Sequence, residues 1–92
     1  MKHYEVLIVA SAEKELAGMP KGLRQRIIDK FEEIGSDPRG TDSKKLDDAT
    51  YRVRVGDYRV VYKIEENEVW VLAIRHRKTV YEDTLQRLSE RE

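Results

Sequence analysis

The sequence predicts an α+β fold in which an N-terminal strand and a two-helix hairpin pack on an antiparallel-dominated sheet, closed by a short C-terminal helix. Three observations predict it. Apolar residues recur at helical spacing twice between positions 11 and 35, period-two alternation runs through residues 51 to 76, and a Gly-Asp pair interrupts that alternation where a hairpin would turn. The chain has 92 residues, enough for one modest core and too few for two, so residues 1–92 are read as a single domain.

Tyr4 to Val9 is rich in β-branched residues and reads as a strand. Ser11 is placed to cap a short helix ending near Gly18, with Ala12, Leu16 and Met19 at helical spacing and Glu13 in the first turn. Pro20 restarts the helix. Leu23, Ile27, Phe31 and Ile34 then form one apolar stripe, and Gly35 is read as its stop. From Gly35 to Thr50 the chain is polar and rich in breakers, a loop pinned by Leu46, its single large apolar residue. Three strands follow, over Tyr51–Val55, Tyr58 to about Glu65, and Val69 to about His76, and Thr79–Leu88 reads as the closing helix.

Composition narrows the chemistry. Charged and hydrophobic residues each make up 39% of the chain, as in a folded soluble domain. With no cysteine, and with only His3 and His76 as imidazoles, neither a metal centre nor any other cofactor is expected. The apolar run in MKHYEVLIVA is too short for a membrane span, so a cytoplasmic protein without membrane partners is expected. Net charge is zero, which argues against coating nucleic acid by bulk electrostatics. The distribution is uneven, however: residues 51 to 81 carry seven Lys/Arg against four Asp/Glu, and the two flanking segments are net negative.

A two-residue turn at Gly56-Asp57 sets Val55 opposite Tyr58, Arg54 opposite Arg59 and Val53 opposite Val60. Two arginines then face each other at a cost of roughly 0.2–1 kcal/mol, which an anion would relieve. For the next hairpin, a two-residue turn at Glu66-Asn67 sets Arg59 opposite Ile74, and a three-residue loop over Glu66 to Glu68 sets it opposite Arg75. Alternation selects the longer loop, because it gathers Trp70, Leu72 and Ile74 on the face of Tyr51, Val53, Val55, Tyr58, Val60, Tyr62 and Ile64. Arg52, Arg54, Arg59, Lys63 and Arg75 then share the opposite face, which the helices leave uncovered. On this register Trp70 is core, and Trp70→Ala costs roughly 3–5 kcal/mol. Lys63, beside Glu65 and Glu66, reads as solvated surface; His76, at a strand end, is placed where it could contact phosphate but reads more simply as a surface histidine without a role. The convergence of Arg54, Arg59 and Arg75, with Tyr81 downstream, exceeds what a solvated sheet face requires.

The YRVRVGDYRVVY run from Tyr51 to Tyr62, followed by an apolar strand and the HRKTVY run from His76 to Tyr81, resembles the RelE branch of the RelE/ParE toxin superfamily. Met19-Pro20 between the helices, Asp37-Pro38 after the second, Leu46, and Val80-Tyr81 sit where that family has them. The resemblance implies a ribosome-dependent endoribonuclease that promotes attack of a ribose 2′-hydroxyl on the adjacent phosphate without a metal. It implies a RelB-like antitoxin, the ribosome and mRNA as partners, and operator DNA only through the antitoxin complex. On this resemblance the catalytic residues are Arg54, Arg59, Arg75 and Tyr81, with Arg52, Arg54, Arg77 and Lys78 binding RNA. Arginine is effectively never deprotonated, so Arg52 and Arg54 cannot act as the base, and Tyr81 is the best candidate. Two rival readings stand beside this one: a ParE-like toxin that acts on DNA gyrase, and a non-catalytic module that docks a phosphate-bearing or acidic partner on the arginines.

Overall fold

The alternating apolar residues of the C-terminal half form the centre of a five-stranded sheet, and the two apolar helical stripes cover one of its faces. The computed structural model describes residues 3–40 and 42–76. In chain order the elements are β1 (Glu5–Ile8), α1 (Ala10–Ala17), α2 (Lys21–Ser36), β2 (Ser43–Lys45), β3 (Thr50–Val55), β4 (Tyr58–Glu65) and β5 (Glu68–His76). The strand order is β1-β5-β4-β3-β2, with β1 parallel to β5 and every other pair antiparallel. The expected α+β class and antiparallel-dominated sheet are observed. The predicted helix over Thr79–Leu88 lies outside the described residues.

Helix α1 starts two residues earlier than a cap at Ser11 implies. Val9 is its N-cap, with no side-chain cap bond, and its carbonyl accepts the Glu13 amide at 3.0 Å. Pro20 occupies the N-cap of α2, where its missing N–H costs nothing, and its carbonyl accepts the Arg24 amide at 2.9 Å. Gly35 does not stop α2, which runs on to Ser36. The glycine is there for close approach: a Cβ would stand 3.1 Å from His3 Nε2 and 3.2 Å from the Tyr4 carbonyl. The Tyr4 amide donates to the Gly35 carbonyl at 2.8 Å, so this contact sets the chain's entry into β1.

The loop after α2 also departs from expectation. It contains β2, and Leu46 does not pin it, being 50% exposed. The buried Tyr62 hydroxyl does so, donating to the Pro38 carbonyl at 2.7 Å. Asp47 Oδ1 tightens the approach to β3 by accepting the amides of Ala49 and Thr50 at 3.0 and 2.8 Å, and these bonds hold its carboxyl below the usual range.

The core consists of Ile27 and Ile34 from α2, Ala12 from α1, and the inward faces of β3, β4 and β5. Inward residues alternate through Tyr51, Val53 and Val55, and through Val60, Tyr62 and Ile64, but on β5 they fall at Val69, Val71 and Ile74. The extra step is a β-bulge: Tyr62 pairs with Val71 and Val61 with Ala73, leaving Leu72 between. The turn is therefore the short one, Glu65 opposite Glu68, and the bulge then restores Arg59 opposite Arg75. Sequence alternation chose the longer loop because it treated β5 as unbroken. Consequently Trp70 and Leu72 are not core: Trp70 is half-buried on the other face, its Nε1 donating to Glu68 Oε1 at 3.2 Å, and Leu72 is 36% exposed.

Candidate nucleic-acid interface

The sheet face opposite the helices carries four cross-strand rows in order of charge. The first is Arg54–Arg59–Arg75, one arginine from each of β3, β4 and β5. The next is Lys44–Arg52–Val61–Ala73, the third Thr50–Lys63–Trp70–Leu7, and the last Glu65–Glu68–Glu5. Adjacent strands lie about 4.8 Å apart, so three guanidinium-bearing residues meet at one end of the face and three carboxylate-bearing residues at the other. The face is a strong dipole.

Local structure sets each arginine. Gly56 has φ +60 at the first position of the β3–β4 turn, as a type II′ turn requires, and its carbonyl accepts Arg54 Nε at 2.9 Å. Arg59 sits half-buried in the middle of the row, with a long 3.5 Å contact from its terminal nitrogen to the Tyr58 carbonyl. Arg75 is drawn toward α1, where its guanidinium pairs with the half-buried Glu15 carboxylate. Glu15 thus offsets part of the like-charge repulsion along the row. Arg52 lies between Lys44 and Val61, and among the described residues neither Arg52 nor Arg54 meets a carboxylate.

Lys63 pairs with Glu65 at 2.8 Å, and that partner raises its pKa and keeps it solvated surface. Arg77, Lys78 and Tyr81 lie outside the described residues. Two residues at this face escaped the sequence reading. Lys44 belongs to β2, a strand too short and polar to show alternation, and Glu15 lies 60 residues before the arginine it meets. A cavity of about 540 Å³ opens beside Arg75, between the end of α1 and the ends of β4 and β5. Among the described residues no cluster of histidines and carboxylates could hold a metal ion, and no helix is long and apolar enough to cross a membrane.

The family model described as ParE toxin of type II toxin-antitoxin system, parDE, matches residues 6–81. The chain belongs to this family. Within the wider superfamily the toxin is RelE-like, since its fold is similar to solved RelE structures. The RelE of the archaeal RelE–RelB complex from Pyrococcus horikoshii is 24% identical, with TM-score 0.72 over 82% of this chain and 96% of that one. That of the RelB–RelE complex from Methanococcus jannaschii is 27% identical, with TM-score 0.67 over 82% and 94%. The isolated E. coli RelE toxin is 25% identical, with TM-score 0.71 over 92% and 98%. No curated protein matches the toxin by sequence.

Proposed function

We propose that this toxin cuts messenger RNA on the ribosome in the cytoplasm and is neutralised by a cognate RelB-like antitoxin. The observation that carries the reading is the Arg54–Arg59–Arg75 row on the sheet face opposite the two helices. Cleavage forms a bond from the ribose 2′-oxygen to phosphorus as the bond to the 5′-oxygen breaks, leaving a cyclic phosphate and a 5′-hydroxyl. Negative charge grows on the non-bridging oxygens, and fixed planar donors stabilise it without a metal. Arg59, central in the row, meets those oxygens, Arg54 supports it, and Arg75 lies nearest the leaving oxygen. Tyr81, acting as its phenolate, accepts the 2′-hydroxyl proton, and solvent protonates the 5′-oxygen. Arg52, Arg77 and Lys78 hold the flanking phosphates.

Single-turnover cleavage on programmed ribosomes, with ribosome affinity measured separately, tests the reading. Arg59→Lys keeps the charge but loses the planar fork, so the cleavage rate falls on the order of 10²–10³ with little change in affinity. Lys63→Ala leaves both unchanged. Full rates in Arg59→Lys and in Tyr81→Phe would reduce the arginine row to a binding surface.

The antitoxin proposal draws support from the similar archaeal RelE chains, which were solved with RelB. Operator DNA is then reached only through the antitoxin. A second reading, poisoning of DNA gyrase, is favoured by the match to the ParE family model. Inhibition of gyrase supercoiling by a toxin that leaves translated mRNA intact would establish it.

A further inference from the structure

We propose that the cavity between the C-terminal end of α1 and the ends of β4 and β5 is a subsite for a nucleobase bearing an exocyclic amino group. It takes the base next to the phosphate on the arginine row, and so rests on the nucleic-acid reading above. The charge order of the sheet confines RNA: Glu5, Glu65 and Glu68 repel phosphate at the far end, so a strand follows the arginine end. Arg75 belongs both to the row and to the cavity wall. Tyr58 and Ile74 place the cavity on the helix side of the sheet, so a phosphate held by Arg75 delivers a neighbouring base to its mouth over the edge of β5 beyond the end of β1.

The cavity, about 540 Å³, lies within the range of about 300–1,000 Å³ typical of small-ligand sites. A smaller cavity of about 180 Å³ is lined by three carboxylates, Glu33, Asp37 and Asp42, against the single cation Lys30, which already pairs with Glu33 and Asp42, so it disfavours phosphate. Tyr58 and His76 line the larger one, their ring centroids 5.3 Å apart and their planes at 89°. Perpendicular rings offer a base one face to stack on and one edge to abut. Met19 and Ile74 supply apolar lining, and Lys14 adds a second cation.

Glu15 supplies the selectivity. A carboxylate accepts several hydrogen bonds and donates none, so besides the Arg75 guanidinium it accepts an amino group of cytosine, adenine or guanine. Uracil has no amino group: its single N3–H lies between two carbonyl oxygens that the carboxylate repels, so it is held less tightly than an amino-bearing base.

Titration of the full chain with cytidine 3′-monophosphate, uridine 3′-monophosphate and ribose 5-phosphate, followed by NMR and calorimetry, tests the subsite without ribosomes. Cytidine monophosphate is expected to shift the Tyr58 and His76 ring resonances and to bind at least about fivefold more tightly than the uridine compound, while ribose phosphate leaves the rings unmoved. Glu15→Gln is expected to reduce the cytidine preference below about twofold, and His76→Ala to weaken both nucleotides roughly tenfold. Equal affinities for the two nucleotides, or ring resonances that neither moves, would overturn the subsite. Ribosomal cleavage by a toxin whose rings no nucleotide perturbs overturns the subsite alone. Selective cytidine binding by a toxin that cuts no message sustains the subsite and overturns the nuclease.

Discussion

Tyr62 shows how one side chain joins distant parts of the toxin. Its ring fills the core and stacks on Tyr51 at 6.0 Å between centroids, and its hydroxyl ties the segment after α2 to the sheet through the Pro38 carbonyl. Tyr62→Phe keeps the ring and removes that bond, at a cost of about 1 kcal/mol in urea unfolding. Burial is the main cause that raises its pKa above 10.0. A raised folded-state pKa means that the stabilisation is fully present below the unfolded value, near pH 10, and is lost as pH rises through the folded one. The stability advantage of the parent over Tyr62→Phe is therefore constant at neutral pH and shrinks above about pH 10. An advantage that grew with alkalinity would show that the hydroxyl is not buried in its neutral form.

The β4–β5 hairpin decides the register of the site, and its two irregular points can be tested separately. Because of the bulge, Val71 is fully buried and Leu72 is 36% exposed, the reverse of unbroken alternation. Val71→Ala is expected to cost roughly 2 kcal/mol, from two lost methyl groups and the cavity they leave, and Leu72→Ala less than about 0.5 kcal/mol. Equal losses would return β5 to the longer loop. Half-buried Trp70 lies outside the core cluster, so its truncation costs less than the core estimate. At the turn, Glu66 has φ 53, a left-handed conformation that strains a residue with a Cβ. Glu66→Gly relieves the strain and is expected to raise stability by about 1 kcal/mol, read as a higher urea midpoint at unchanged slope.

On the scale of the whole toxin, zero net charge and a polarised sheet face limit how much RNA the protein can hold. Lys44, Arg52, Arg54, Arg59 and Arg75 lie toward one end, and the acidic row marks the other. Single-stranded binding loses about 0.7 in log-log salt slope per neutralised phosphate, so affinity for an RNA oligonucleotide should fall with a slope of about −3.5 from these five cations, or about −5 with Arg77 and Lys78 also engaged. A slope near −7 would require cations beyond this face.

Much of this was legible in the sequence because local chemistry carries it. Gly56-Asp57 demands a tight turn, and that turn by itself sets Arg54 against Arg59, as observed. The stripe of Leu23, Ile27, Phe31 and Ile34 similarly requires a helix with one buried face, which α2 provides. Features that depend on distant neighbours were not legible. A bulge leaves no compositional mark, so the inward and outward residues of β5 were exchanged up to Leu72, although Arg75 still came out opposite Arg59. β2 exists because β3 offers an edge to pair with, and the propensity of Ser-Lys-Lys does not announce it. The Glu15–Arg75 pair, and the cavity beside it, arise only when α1 packs against β5, because a contact across 60 residues is a property of the packed layers and not of any segment.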